Sequence, residues 1–317
     1  MYNDSVFIIT KPSQYITARN IAKSIDKIES PLLYIVGSFS ESRKFYHQVK
    51  EHDFLWGRVE FFNSRLHALC YKMFHCRSLP LFTDSDIYKD SILNRLSSSY
   101  DIYVYDEGFY SYLDDLESHL INQGKCFRRM LYNVLKLPKY HGGSPYTTGL
   151  YLYSISSKSK VNNVIEISTG FFDSLNEDID VLNSVFNFSK TSKLFNDLTK
   201  MKRPTIYCTS HSLDNLMASM ERGVKFDFIK LHPIINDEII NLNSNLKGKV
   251  LIPAFVPIEL VIANVIDDVD FVNIVHEGSS IILNMRGLLK KNKIKETNVG
   301  MFVDKFKCNF DEVRNND

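Results

Sequence analysis

The chain has 317 residues, of which 44% are hydrophobic and 24% are charged, and its formal net charge at pH 7 is +1. These values are typical of a globular protein and exclude a disordered or fibrous chain, while the length predicts two domains. The small net charge excludes a global electrostatic field that would attract nucleic acid, so no nucleic-acid partner is expected.

The first part of the chain alternates short apolar runs with longer amphipathic segments, which is typical of βα units around a parallel sheet. The predicted strands are residues 5–10, 32–37, 59–63 and 100–106. Residues 13–28 predict a helix between the first two strands, because Ala18, Ile21 and Ile25 recur three or four positions apart.

A second alternating block follows Pro204. Its predicted strands are 205–210, 226–231, 249–255 and 271–275, and its predicted helices are 257–264 and 279–289. The periodicity weakens between the blocks, where Ser, Asn and Lys accumulate. We therefore predict an N-terminal Rossmann-like domain at 1–155, a linker region at 156–200 and a C-terminal Rossmann-like domain at 201–317.

Two familiar nucleotide-binding loops are absent from the sequence: GxGxxG does not follow any predicted strand, and GxxxxGK[ST] does not occur. Their absence disfavours a nicotinamide-dependent dehydrogenase and a P-loop ATPase. Open α/β sheets bind ligands beyond the carboxyl ends of their strands, so the polar residues at those positions are the candidate site residues.

The strand at 100–106 ends in Asp106, and Glu107 and Gly108 follow it. Two adjacent carboxylates repel each other, which tends to raise the pKa of one of them, and Gly108 allows the backbone to turn. Both features suit a general base. The alternative is a turn whose acids are solvated or cap the next helix.

In the second block, Lys230 and His232 stand two residues apart at a strand end, where they are suited to grip a phosphate. Glu259 follows Pro257 in the first turn of a predicted helix, where it either favours the helix dipole or accepts hydrogen bonds from a ribose diol.

The last predicted strand is followed by Gly278, Ser279 and Ser280 at the start of a helix. Backbone amides and hydroxyls at such a position bind anions, and ordinary N-capping by Ser279 is the alternative interpretation.

The order of these motifs, an acid pair with Gly, then HP, then Ser-Ser, resembles the bacterial sialyltransferases with a GT-B fold. The closest resemblance is to glycosyltransferase family 52, and the polysialyltransferases are more distant. Residues 10–14 are similar to the K-T-P-x-Q start of family 52, although Thr10 and Lys11 are exchanged here. The resemblance implies two Rossmann-like domains that face each other across a cleft.

The family resemblance also implies roles. Asp106 is the base, with Glu107 as the fallback, and His232 donates to the donor phosphate together with Ser279 and Ser280. Lys230 lies by the nucleobase, Glu259 holds the ribose, and Ser13 and Gln14 lie on the acceptor side.

The implied reaction transfers sialic acid from CMP-Neu5Ac, with inversion, to a terminal galactose of a bacterial surface glycan, without a metal or cofactor. Asp84–Asp86 and Asp178–Asp180 match a metal-binding DxD only incidentally. Three alternatives stay open: another nucleotide sugar such as a UDP-hexose, polysialic acid synthesis, and a non-catalytic carbohydrate-binding protein.

The five cysteines are odd in number and scattered, which fits a reducing compartment. No signal-peptide pattern is found, so we expect a cytoplasmic protein. The basic amphipathic stretch 125–139 predicts a peripheral contact with the inner face of the inner membrane near a lipid-linked acceptor, and a plain basic surface helix is the alternative.

Overall fold

The computed structural model describes residues 4–25, 29–112, 137–154, 161, 163–210, 213–235, 246, 249–277 and 281–299. The chain packs as two compact domains. The first consists of the described residues of Met1–Gly37 and Phe54–Gly170, and the second of those of Ser38–Asp53 and Phe171–Phe310.

The described helices have the following bounds in chain order: α1 (Pro12–Ser24), α2 (Ser42–His52), α3 (Arg65–His75), α4 (Lys89–Ser97), α5 (Phe171–Glu177), α6 (Ile179–Val185), α7 (Lys193–Thr199), α8 (Asp214–Glu221), α9 (Ile258–Val265), α10 (Ile281–Asn284) and α11 (Arg286–Lys290). A 3₁₀ turn spans Phe109–Tyr112. Among the described residues, no helix is both long and apolar enough to span a bilayer.

The first domain is built on a parallel sheet with the strand order β3-β2-β1-β4-β5-β6-β7. Its strands are β1 (Val6–Ile9), β2 (Leu32–Val36), β3 (Arg58–Phe62), β4 (Leu81–Thr83), β5 (Ile102–Tyr105), β6 (Gly149–Leu152) and β7 (Val164–Glu166). In β1, Val6 pairs with Leu32 on one side and with Leu81 on the other. All four residues of β1 are buried, as expected for a parallel strand covered on both faces.

The second domain repeats this topology with five parallel strands in the order β10-β9-β8-β11-β12. Its strands are β8 (Thr205–Cys208), β9 (Phe228–Lys230), β10 (Val250–Ile252), β11 (Val272–His276) and β12 (Ile294–Asn298). In each sheet, successive strands are first added on one side of the first strand and then on the other, so the strand order switches between β1 and β4 and between β8 and β11. Such a switch point is where open α/β sheets bind ligands.

The eight strands predicted from the sequence all have counterparts in the two sheets. The helix predicted at 257–264 corresponds to α9, and the one predicted at 279–289 is divided into α10 and α11 at Met285. The helix predicted at 13–28 corresponds to α1, and residues 26–28 lie outside the described part.

The chain passes between the domains more often than the predicted linker at 156–200 implies. Helices α5 to α7 occupy much of this region and belong to the second domain, in which Leu175, Leu182 and Val185 are buried. Helix α2 belongs to the second domain as well, because Phe45 packs on Phe186 with ring centroids 5.1 Å apart.

Candidate active site

The carboxyl ends of β1 and β4 meet at the switch point of the first sheet. Thr10 follows β1 and donates its hydroxyl proton to Oδ2 of Asp84, which follows β4, at 2.6 Å. Arg65, in the first turn of α3, bonds to the same carboxylate and also donates to Thr83 Oγ1 at 2.5 Å and to the Ser85 carbonyl at 2.9 Å.

Asp84 is buried, and burial alone would raise the pKa of its carboxyl group. The charge of Arg65, the hydrogen bonds from Thr10 and Arg65 and the charge of Lys11 together outweigh this effect and lower the pKa to about 2. The same attraction raises the pKa of Arg65 despite its desolvation. Asp84 is therefore a fixed anion at neutral pH and is unsuited to proton transfer.

Gln14, predicted on the acceptor side, is only 1% exposed and joins the ends of three strands. Its Oε1 accepts from the backbone N–H groups of Thr10 at 2.7 Å and Lys11 at 3.1 Å. Its Nε2 donates to Asp84 at 3.1 Å and to Glu107 at 3.4 Å. The amide thus positions the surrounding groups. Ser13, also predicted on the acceptor side, is partly buried near the start of α1.

Asp106 lies directly after β5 and is 4% exposed. Its Oδ1 accepts from the Gly108 N–H at 2.7 Å, and its Oδ2 accepts from the Tyr112 hydroxyl and from the Tyr153 N–H at 3.4 Å. Gly108 has a φ of +108°, which favours glycine and lets the chain turn back towards the carboxylate.

Burial raises the pKa of Asp106 to about 6, although the hydrogen bonds from Tyr112, Gly108 and Tyr153 oppose the shift. The neighbouring charge of Glu107 makes a smaller contribution in the same direction. The sequence therefore indicated the direction of the shift, but desolvation, and not repulsion between the two acids, is its main cause.

Glu107 points to a different set of partners from Asp106. Lys11 Nζ lies 2.8 Å from Glu107 Oε2, and His141 Nε2 lies 3.8 Å from Oε1. Desolvation is the largest single effect on Lys11 and lowers its pKa, but the attraction and hydrogen bond of Glu107 together with the charge of Asp84 outweigh it, so the pKa is raised. The side chain of Glu107 is 12% exposed, so solvent reaches it more readily than Asp106.

His141 lies beside Glu107 and was not predicted from the sequence. It is 2% exposed, and its Nδ1 has no hydrogen-bond partner within the described part of the chain. Asp86 fixes the loop that carries it, accepting from the Gly142 N–H at 3.0 Å and from Thr147 Oγ1 at 2.6 Å. The sequence signal is His141-Gly142-Gly143 shortly before a strand.

In the second domain, Lys230 ends β9 and is 6% exposed. Its ammonium group donates to the Leu231 carbonyl at 2.5 Å and to the Ala254 carbonyl at 2.9 Å. These bonds join the carboxyl ends of β9 and β10. Lys230 therefore holds the backbone that leads to His232.

His232 is partly buried beyond the end of β9. Its backbone N–H donates to Thr209 Oγ1 at 2.9 Å, and its Nδ1 accepts from the Ile234 N–H at 3.3 Å. Because Nδ1 accepts, the neutral ring carries its proton on Nε2. This tautomer makes Nε2 a hydrogen-bond donor, as the predicted role requires.

Glu259 lies in the first turn of α9 and is 4% exposed. Burial raises its pKa, while the hydrogen bond that Asn284 Nδ2 donates at 2.8 Å opposes the shift. Glu277, which the sequence analysis did not assign, follows β11 at the switch point. It accepts from the Tyr207 hydroxyl at 2.8 Å and from Asn215 Nδ2 at 2.9 Å.

Some predictions fall outside the described residues. The anion site of Gly278, Ser279 and Ser280 is one, and 125–136 of the predicted membrane-contact stretch is another. Within the described ranges, no group of three or more His, Cys, Asp or Glu side chains is placed to hold a metal ion.

Known proteins resemble this chain in structure only. No family model and no curated protein matches its sequence. The UDP-N-acetylglucosamine 2-epimerase of Rickettsia bellii superposes with a TM-score of 0.53 at 12% identity, covering 94% of this chain and 79% of the other. A Listeria monocytogenes protein described as a UDP-N-acetylglucosamine 2-epimerase gives a TM-score of 0.52 at 9% identity, covering 100% and 90%.

These likenesses establish the fold class. The chain has two parallel-sheet α/β domains of the GT-B-like Rossmann type, as the sequence predicts. At such low identity the likeness extends to the fold alone, and activity is a separate question.

Proposed function

We propose that this chain is an enzyme that transfers a sugar from a nucleotide-sugar donor, with Asp106 as the general base. The observation that carries the proposal is a buried carboxyl group with a pKa of about 6 at the carboxyl end of a central strand. A base with this pKa is mostly ionised at neutral pH and still accepts a proton in the transition state. Strongly shifted carboxyl groups at strand ends are typical of catalytic sites.

In the proposed reaction, an acceptor hydroxyl oxygen attacks the anomeric carbon of the donor while its proton passes to Asp106. The bond between that carbon and the donor phosphate breaks, and the nucleotide leaves with its bonding electron pair. His232 donates from Nε2 to the phosphate as its charge grows, which stabilises the transition state more than the ground state.

The other predicted donor contacts have more specific roles in this proposal. Glu259 accepts hydrogen bonds from the ribose, and Gly278, Ser279 and Ser280 bind the phosphate. Lys230 contributes by orienting the segment that contains His232, since its ammonium group already bonds to two main-chain carbonyls.

We propose a UDP-sugar as the donor, because both structural neighbours described above are named for UDP-N-acetylglucosamine. CMP-Neu5Ac is the second candidate, and the observation that favours it is the order of the acid-acid-Gly, HP and Ser-Ser motifs. In that case the acceptor is a galactose-terminated surface glycan or polysialic acid.

The donor is tested by incubating the protein separately with UDP-GlcNAc, UDP-glucose and CMP-Neu5Ac, and by following released nucleotide and sugar products chromatographically. Release of UDP is the expected result, and release of CMP alone would establish the second candidate. An altered sugar that is still attached to UDP would show that the protein catalyses epimerisation and not transfer. Turnover is expected to survive EDTA; its loss on chelation and recovery with manganese would overturn metal independence.

A thermal-shift measurement with CMP, UDP and GDP separates binding from catalysis. A ligand that binds only the folded protein raises its melting temperature. A nucleotide-dependent shift without turnover of any donor would favour the non-catalytic alternative, and the absence of both would reject the proposed function.

A further inference from the structure

The outer surface of α3 and α4 in the first domain carries large apolar side chains in contact with solvent. Phe74 is 76% exposed, Leu66 54% and Leu96 52%. Ile92 is exposed by 42%, and Tyr100, which lies three residues beyond the end of α4, by 51%. We call these five residues, with the basic residues between them, the α3–α4 surface. Single exposed apolar residues are ordinary, but a concentration of them on two neighbouring helices marks an interaction site.

Each of the two helices also has apolar residues that face the core. In α3, Ala68 and Leu69 are buried in the hydrophobic core beneath the sheet, and Leu93 of α4 packs against the same core. The helices therefore do not need the exposed apolar residues for folding. Ile92 and Leu96 are four positions apart and share one face of α4.

The charges on the α3–α4 surface have one sign. Arg77, Lys89 and Arg95 are exposed, and so are the imidazoles of His67 and His75. Every residue from 65 to 100 is described, and this range contains no exposed aspartate or glutamate.

The acidic residues of this range are turned inwards. Asp84 and Asp86 are buried, and Asp90 lies 3.9 Å from the guanidinium of Arg65. The surface is therefore locally cationic on a chain whose net charge is only +1.

We propose that the α3–α4 surface binds the anionic face of a lipid bilayer. Lipid headgroups supply negative charge at the level of the three cationic side chains, and the adjacent acyl region receives the phenyl and aliphatic groups. A bilayer surface therefore accounts for both the cationic and the apolar side chains of the α3–α4 surface. The proposal is independent of the reaction that the protein catalyses, and it differs from the membrane contact predicted for 125–139.

A nucleic acid is the main rival partner, because it too is anionic. Leucine and isoleucine gain little beside phosphates and sugars, whereas proteins that bind single strands place bases on aromatic rings. Three of the five apolar residues are aliphatic, namely Leu66, Ile92 and Leu96. The composition therefore favours lipid.

The test measures sedimentation of the full chain with two kinds of vesicle. One is phosphatidylcholine alone, and the other contains about 30% phosphatidylglycerol, which gives a negative surface potential. Binding to the anionic vesicles, weakened by salt and much weaker on the neutral vesicles, is the expected result. Equal binding to both kinds, or none to either, would overturn the proposal. A single-stranded RNA is assayed in parallel, and binding to RNA without binding to vesicles would assign the other class of partner.

The charged part is tested with Arg77→Glu and Arg95→Glu together, which we expect to weaken binding to anionic vesicles by at least about tenfold. The matched control is Lys200→Glu with Lys202→Glu, which makes the same change in net charge on exposed residues of the second domain. An equal loss in the control would show that total charge, and not this surface, determines binding.

The apolar part is tested with Phe74→Ser and Leu96→Ser together, and Met201→Ser, 40% exposed in the second domain, is the matched control. We expect at least about a tenfold loss for the double variant, because each buried methylene contributes to membrane affinity, and no loss for the control. Since the replaced side chains are exposed, the melting temperatures should be unchanged. Wild-type affinity in a folded double variant would refute insertion into the bilayer.

Discussion

The two sheets share a topology, but their carboxyl ends balance buried charge in different ways. In the first domain, charged side chains neutralise each other, as Asp84 does with Arg65. In the second, Lys230 bonds to main-chain carbonyls and Glu259 accepts from the amide of Asn284. Neutral dipoles satisfy the hydrogen bonds of a charge without cancelling the charge itself.

This difference suggests a division of work. Paired charges hold Asp84 ionised, whereas Asp106, whose partners are neutral donors, has a raised pKa. In the second site, the hydrogen bonds to Lys230 and Glu259 come from neutral groups, and the attraction of Lys230 opposes the raised pKa of Glu259.

Asp106→Asn should lower kcat for the active donor by about 10²–10⁴-fold, because the amide keeps the shape of the carboxylate but accepts no proton. In the wild type, kcat/KM should rise with pH through about 6, since the ionised form of Asp106 is the active base. This limb should be missing in the variant. Steady-state kinetics from pH 5 to 8 measures both effects.

Glu107→Gln is the matched control for this prediction, because it neutralises the adjacent acid. We expect a smaller loss of kcat and a retained limb near pH 6. If Glu107→Gln abolishes turnover while Asp106→Asn is active, Glu107 is the base.

His232→Ala should reduce kcat by about 10²–10³-fold, the usual effect of removing one donor to a developing negative charge. The control is His47→Ala, which removes an exposed histidine from α2 of the same domain. Initial rates at saturating donor provide the measurement. Equal rates for both variants would remove His232 from the mechanism.

Asp84→Asn should lower the free energy of unfolding at pH 7 by about 2 kcal/mol. The pKa of Asp84 is lowered from 3.8 to about 2 in the folded state, so this stability is present above pH 4 and is lost as pH falls through 2. Urea unfolding at pH 7 and at pH 2.5 tests the change, and the difference between the two proteins should be much smaller at the lower pH.

The control for Asp84 is Asp270→Asn, which removes a carboxylate whose side chain is 51% exposed. Its effect should be within about 0.5 kcal/mol. A gap for Asp84→Asn that does not narrow in acid would show that packing, and not charge, stabilises this site.

Lys72 provides a reference for Lys230, because both are buried lysines that donate to backbone carbonyls. Lys72 bonds to the carbonyls of Cys76 at 3.2 Å and Leu79 at 2.8 Å, and desolvation lowers its pKa from 10.5 to about 8. Below pH 8 the buried ammonium of Lys72 destabilises the folded state, and above pH 8 the amine is neutral, so this destabilisation disappears. Wild-type stability relative to Lys72→Met should therefore increase by about 1 kcal/mol between pH 7 and pH 9.

Turnover completes this comparison of the two lysines. Lys72→Met should leave kcat unchanged, whereas Lys230→Met should lower it, because Lys230 holds the segment that leads to His232. Equal kcat values for the two variants, each folded by circular dichroism, would remove the positioning role.

The fold was predictable where apolar residues run continuously. Strands such as β1 and β2 are buried on both faces, and that burial is visible in their composition. By contrast, β4 is buried but only three residues long, and β12 has one apolar residue, Ile294, followed by four polar residues, so neither shows a continuous apolar run. Helices α5 to α7 escaped prediction because polar residues separate their buried apolar positions and dilute the apolar spacing.

The candidate site was predictable only in part. Asp106, His232 and Glu259 could be proposed from the sequence because each lies at or after the end of a predicted strand, a position that depends on local sequence. Arg65 and His141 were not found, since they join the site from a helix and a loop far along the chain from their partners.

By itself, the sequence determined the two α/β domains and the strand-end positions of the candidate residues, because apolar periodicity and turn chemistry act over a few neighbouring residues. Only the tertiary structure decided which polar groups form hydrogen bonds or ion pairs inside the protein. Gln14, predicted to face an acceptor, is buried among three strand ends, and Asp84, dismissed as incidental, is the partner of Arg65. Hydrogen bonds and desolvation depend on contacts between distant segments, and such contacts exist only after the chain has folded.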